Sequence, residues 1–194
     1  MKTSDISTFK KILENNKRIL IFGQYTQCRR IACMGLIKAY EDVNQPIIII
    51  SKDDYLLKKS VAQTKRFIHQ NMQYSLIKDG SWIDRPNLML TFDCTKRGLP
   101  LELEIAMMSN RALIQKGYKP FIIIDDFSDI YHSNIDDNLK TFFDEVIKIN
   151  ISKDQPMVIA SNSFYKWRQQ ENPKWMNCAY GVLYLFEVDF SHCI

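Results

Sequence analysis

Pro120-Phe-Ile-Ile-Ile-Asp-Asp126 is the stretch on which the reading of this chain turns. Four consecutive apolar residues, Phe121 to Ile124, run straight into two carboxylates. A short apolar run rich in β-branched residues has the pattern of a strand buried on both faces, in the middle of a parallel sheet covered by helices. Ligands of open α/β sheets bind beyond the carboxyl ends of such strands. Asp125 and Asp126 are expected at that end, where two acids are costly unless paired, hydrated or facing a cation. The plainer role for them is to end the strand or cap the next helix.

Working outward, strand and helix patterns alternate. Arg18-Ile-Leu-Ile-Phe22, Pro46-Ile-Ile-Ile-Ile50, Leu88 to Phe92, Met157 to Ala160 and Val182 to Phe186 read as further strands. Between them, helical spacing predicts a short helix over Asp5 to Asn15, with Ser4 or Asp5 as its N-cap and Ile6, Phe9, Ile12 and Leu13 inward. A loop over Gln24 to Cys28 precedes a helix over Arg29 to Tyr40, with Ile31, Met34, Leu36 and Ile37 inward. A basic amphipathic helix is predicted over Tyr55 to His69. A long helix follows over Leu99 to Lys116, opened by Pro100 and closed by Gly117. Another is predicted over Asp136 to Ile149, and a Trp-containing helical segment before the last strand. There is no repeat, low-complexity tract or interdomain linker. The expectation is one α/β domain over residues 1–194, a three-layer αβα sandwich with a mainly parallel sheet.

Composition bounds the function. With 194 residues, 46% hydrophobic and 25% charged, the chain is an ordinary globular one that buries a full core. No apolar run reaches membrane-span length and the N-terminus has no signal-peptide pattern, so a cytoplasmic location without direct membrane insertion is expected. Cysteines 28, 33, 94, 178 and 193 form no Cys-x-x-Cys pair and read as free thiols in a reducing compartment. The three histidines belong to no metal or nucleophile motif. The net charge of +4 is unevenly placed: residues 2–30 carry seven Lys/Arg against two acids, and residues 125–145 seven acids against Lys140. Such asymmetry steers partners, although solvated helix faces also differ by chance. No basic run interleaved with aromatics marks a nucleic-acid surface.

The first strand has the frame of a phosphate-binding loop, which needs a buried strand, then G-x-x-x-x-G-K-[S/T], then a helix. Here the eight residues are Gly23-Gln-Tyr-Thr-Gln-Cys-Arg-Arg30. Cys28 stands in place of the second glycine, Arg29 in place of the lysine and Arg30 in place of the Mg²⁺-binding hydroxyl. A helix N-terminus still attracts anions, but hydrolysis is expected to be weak or absent. The plainer reading of Arg29 and Arg30 is as surface charges at a helix start.

Loop and acid strand together resemble a P-loop NTPase of the RecA-like type with a degenerate Walker A. The resemblance implies that Gly23, Gln24, Tyr25, Thr26, Gln27, Cys28, Arg29 and Arg30 form the nucleotide-binding segment. It makes Asp125 a Mg²⁺ ligand through water and Asp126 the catalytic base. Ser161 and Asn162 take the place of the polar sensor, although turn or capping roles are commoner for them. Leu103-Glu-Ile-Ala-Met-Met-Ser-Asn-Arg111 and Ile124-Asp-Asp-Phe-Ser-Asp-Ile130 look like the corresponding segments of FtsK/SpoIIIE translocases. The Asp-Asp form with a Gly-Gln-Tyr loop is similar to the C-terminal ATPase modules of EssC-type motors of type VII secretion. That likeness implies a pseudo-ATPase, with weak or absent ATP and Mg²⁺ binding. It implies a domain of a membrane-anchored protein that binds a protein substrate or adjacent ATPase domains, in an assembly that includes homo-oligomers, with DNA a less expected partner. Trp167 and Trp175 are packing residues or, if exposed, partner anchors. The alternative is an active Mg-ATP-hydrolysing motor or loader acting on DNA or protein. A DnaA-like initiator or loader, which also carries an apolar-Asp-Asp strand, is a weaker form of that alternative, because the lid helices and helix-turn-helix it implies are not read after the last strand of this sequence.

Overall fold

The computed structural model describes residues 3–22, 26–40, 45–61, 67–70, 80, 82–83, 88–93, 99–126 and 155–161. In chain order the elements are α1 (Thr3–Asn15), β1 (Arg18–Phe22), α2 (Thr26–Ala39), β2 (Ile47–Ser51), α3 (Tyr55–Val61), β3 (Phe67–Gln70), β4 (Leu88–Asp93), α4 (Leu99–Gln115), β5 (Phe121–Ile124) and β6 (Met157–Ser161). The six strands form one sheet in the order β1-β6-β5-β2-β4-β3, and every pairing is parallel. This is an α/β fold, as expected. Among the described residues no helix is long and apolar enough to cross a membrane.

The isoleucine runs explain the layers. Side chains alternate across a strand, so Ile47 and Ile49 of β2 fall on one face with Ile19, Ile21, Phe121, Ile123 and Val158. On that face they pack under Ala32, Cys33, Leu36 and Ile37 of α2, with Phe9, Ile12 and Leu13 of α1 against the same cluster. Ile48 and Ile50 fall on the other face with Ile122, Ile124, Leu90 and Phe92, under Leu103, Ala106, Met107 and Leu113 of α4. Strands that are apolar on both faces therefore have helices on both. Each fully buried isoleucine contributes about 1.5–3 kcal/mol. Helices α1 and α2 meet closely at Gly35, where an added Cβ would fall inside the van der Waals surface of the Phe9 ring.

Helix α4 ends as Gly117 predicts. Tyr118 N–H donates to the Leu113 carbonyl at 3.0 Å and Gly117 N–H to that of Ile114 at 2.9 Å. This is the 6→1 and 5→2 pattern of a Schellman cap, with Gly117 at a φ of 87°.

Several boundaries differ from the sequence expectation. Helix α1 starts at Thr3, so Ser4 and Asp5 lie within its span and not ahead of it. Strand β2 runs one residue further, to Ser51. The predicted helix over Tyr55 to His69 is two elements: α3 stops at Val61, and Phe67–Gln70 form the edge strand β3, paired with β4. Phe67 and Ile68 are strand-favouring residues, and the ladder to β4 outweighs the helical spacing before them. Helix α2 starts at Thr26, three residues early, so only residues 23–25 separate it from β1. Ile31, expected inward, is exposed. The helix over Asp136 to Ile149, the Trp-containing segment, and the last strand lie outside the described residues, as do Trp167 and Trp175.

Candidate functional site

In a parallel sheet all carboxyl ends share one edge. Strand β6 lies between β1 and β5, so the end of β1 at Phe22, the end of β6 at Ser161 and Asp125 after β5 stand side by side there. Ser51, at the end of β2, is on the other side of β5. The N-terminal turns of α2 come down onto this edge and bring Arg29 and Arg30 to Asp125 and Asp126, across more than ninety positions of sequence.

These four residues are buried: Arg29 is 2% exposed, Arg30 8%, Asp125 0% and Asp126 6%. Arg29 Nη2 donates to Asp126 Oδ1, and also to Thr26 Oγ1 at 3.0 Å. Arg30 Nε donates to Asp125 Oδ2 at 2.9 Å, and its Nη2 donates to Asp53 Oδ2 at 2.8 Å and Asp126 Oδ2 at 3.3 Å. Ser51 Oγ donates to Asp125 Oδ2 at 3.3 Å and accepts from Asp53 N–H at 3.4 Å. The guanidinium of Arg30 also lies 4.8 Å from the centre of the Tyr55 ring, within cation–π range. Asp53 holds the start of α3 by accepting from Tyr55 N–H at 2.9 Å.

Backbone geometry supports this arrangement. Asp125 N–H donates to the Ile50 carbonyl at 2.9 Å, extending the strand ladder by one bond. Asp126 then turns away at a φ of 51°. Asp tolerates this left-handed conformation better than most residues, and its carboxylate meets both arginines there.

The electrostatics follow from burial. Desolvation, and after it the neighbouring Asp126 carboxylate, push the Asp125 carboxyl up to about 6, against the pull of Arg30 and Arg29. Asp53 is held below the ordinary carboxylate range: its N–H and guanidinium hydrogen bonds outweigh its desolvation, which is the largest single influence and acts the other way. The pKa of Arg30 is raised: desolvation, the largest influence, lowers it, and the hydrogen bonds and charges of Asp53 and Asp125 outweigh that. Burial pushes the Cys33 thiol, beneath the arginines in α2, well above its usual range, which leaves it protonated and unreactive.

The structure thus brings together Arg29, Arg30, Asp125 and Asp126, with Thr26 at the margin. The arginines are not surface charges at a helix start. Thr26 and Gln27 are exposed in the first turn of α2, and Cys28 is half-buried. Ser161 is buried at the end of β6. Gly23, Gln24, Tyr25 and Asn162 lie outside the described residues. Glu104 and Arg111 are both exposed on α4. Sequence reasoning missed Ser51, Asp53 and Tyr55. The signal was present, since Ser51-Lys-Asp-Asp54 follows an isoleucine run just as Asp125-Asp126 does.

As chemistry, the cluster is two guanidiniums shared among three carboxylates. A phosphate arriving here meets donors already engaged and acids that repel it. Among the described residues no group of three or more acids, histidines or cysteines stands close enough to hold a metal ion. Compared with protein families, curated proteins and solved structures, the chain finds no match.

Proposed function

We propose that this chain is a pseudo-ATPase domain of the P-loop, RecA-like type, in which the catalytic edge has become a structural clamp. Its role on this reading is that of a protein-binding and coupling module in an FtsK/SpoIIIE-like translocation machine, of the kind found in EssC-type secretion motors. The observation that carries the loss of hydrolysis is the 2.9 Å bond from Arg30 Nε to Asp125 Oδ2. Arg30 stands where a P-loop has its metal-binding hydroxyl, and it takes the acid that would face the metal.

Mg-ATP does not fit the residues present. Asp125 Oδ2 is taken by Arg30 and Ser51, and Asp126 by both arginines. Position 30 has no hydroxyl, and α2 takes in residues 26–30, the last five of the eight. No catalytic step is therefore derived through the nucleotide. The residues instead tie α2, the end of β5 and the turn after β2 into one unit. A unit fixed without ligand suits a domain that presents a constant surface to a protein partner. The coupling role itself rests on the resemblance in the loop, the acid strand and the helix before it.

The test is steady-state phosphate release from millimolar Mg-ATP by the purified chain. The expected rate is that of buffer. A rate above buffer that Asp126→Asn abolishes would make the chain an enzyme and overturn the reading.

A further inference from the structure

Three carboxylates from two separate segments converge on the single guanidinium of Arg30. Asp125 meets Nε at 2.9 Å, and Asp53 and Asp126 meet Nη2 at 2.8 and 3.3 Å. The Ser51 hydroxyl donates to Asp125 Oδ2 and accepts from the backbone N–H of Asp53. Around Arg30 the three acids do not stand close enough together to hold a metal ion, but carboxylate and hydroxyl oxygens are the ligands that bind hard divalent cations. A second observation points the same way. Asp125 is 0% exposed, and its Oδ1 has no hydrogen-bond partner, so one of the three acids carries an unused buried acceptor.

We infer that the guanidinium of Arg30 is the resident cation of a carboxylate cage formed by Asp53, Asp125 and Asp126. The chain carries its own counter-ion and closes the site to divalent metals. This rests on the reading of the site as one that has lost Mg-ATP, and names what replaced the metal. A guanidinium is planar and wide, and it holds the three acids further apart than a metal ion would. With it removed, the three acids face one another with Arg29 as the nearest remaining positive charge. Asp53, whose side chain is 47% exposed, keeps Oδ1 on Tyr55 N–H and is left with Oδ2 to offer a cation, while Asp125 and Asp126 follow directly on β5. Withdrawing the side chain of Arg30 should therefore convert a metal-indifferent domain into a divalent-cation binder. In the native chain the clamp is permanent, and neither metal depletion nor metal addition releases it.

The experiment is a Mn²⁺ titration of the full chain followed by electron paramagnetic resonance, for wild type, Arg30→Ala and Arg30→Ala/Asp125→Asn. Wild type is expected to show no saturable binding below ~1 mM, and Arg30→Ala one site at least about tenfold tighter. Adding Asp125→Asn should remove that gain. A folded Arg30→Ala that binds Mn²⁺ no better than wild type, or whose binding is indifferent to Asp125→Asn, overturns the inference. If Arg30→Ala does not fold alone, it is refolded with Mn²⁺. Recovery of the native circular dichroism supports the cage, and failure to recover it counts against it. Phosphate release by wild type would strike the proposed function, whereas the Mn²⁺ comparison between variants strikes this inference, so the two failures are distinguishable.

Discussion

Arg29→Ala is expected to lower the stability of the chain by about 3–5 kcal/mol, the usual cost of breaking a buried ion pair by deleting one partner. Arg29 is 2% exposed and bonded to Asp126 and Thr26. Its removal leaves a space under α2 and strands the Asp126 carboxylate, which is itself 6% exposed. The remaining contact from Arg30 Nη2, at 3.3 Å, holds Asp126 only in part, so the lower half of that range is expected. Against a typical domain stability of 5–15 kcal/mol, this is a large fraction. The measurement is the urea midpoint of Arg29→Ala, Asp126→Ala and the double variant. The double variant should cost less than the sum of the singles by about 1–3 kcal/mol, because the second deletion removes the charge that the first one stranded. A single-variant loss under about 1 kcal/mol would describe a solvent-screened surface pair, and the buried clamp would be wrong.

The second large effect is a dependence on pH that Asp125→Asn should erase. In the folded chain the Asp125 carboxyl is pushed up to about 6, from an ordinary value of 3.8. Between those values the folded chain keeps a proton that the unfolded chain has released, and this favours folding. The contribution is fully present below pH ~4 and is lost as pH rises through about 6, with a size on the order of 3 kcal/mol. Asp53, held below its ordinary value, acts oppositely, and its contribution is lost only at lower pH. Denaturation of wild type and Asp125→Asn at pH 4 and pH 7 separates the two. Relative to wild type, the Asn variant should gain on the order of 3 kcal/mol between pH 4 and pH 7, with the change centred at pH ~5 and nearly complete above pH ~6. Parallel stability curves would show that Asp125 is not buried among charges in the way described.

The sheet was legible because its strands announce themselves. Ile-Leu-Ile-Phe, Ile-Ile-Ile-Ile and Phe-Ile-Ile-Ile are too short and too β-branched for helices and too apolar for an exposed face. β3 was not legible: lysines at 58, 59 and 65 continue a helical pattern into Phe67-Ile68, and only the neighbouring strand decides that these residues extend. The early start of α2 was hidden by the phosphate-loop frame, which demands a loop where Thr26-Gln27-Cys28 is compatible with helix. Asp125 and Asp126 could be placed as site residues because acids at the end of a buried strand need a partner. What the partner is does not follow from position. A metal ion and a guanidinium satisfy a carboxylate equally well in a linear reading, and the pairing of residues 29 and 30 with 126 and 125 exists only once α2 is packed on the sheet. Asp53 was missed for the same reason: its partner, Arg30, is in α2, which follows β1, and β6 and β5 lie between β1 and β2 in the sheet order.

On the proposed reading, Arg29 and Arg30 occupy, through Asp125 and Asp126, the place where a nucleotide and its metal would bind. Isothermal calorimetry of the wild-type chain with ATP and Mg²⁺ tests it most directly, with Asp125→Ala in parallel. No saturable heat is expected up to millimolar ATP for the wild type. Saturable binding tighter than ~100 µM, about −5.5 kcal/mol, that Asp125→Ala weakens would contradict it.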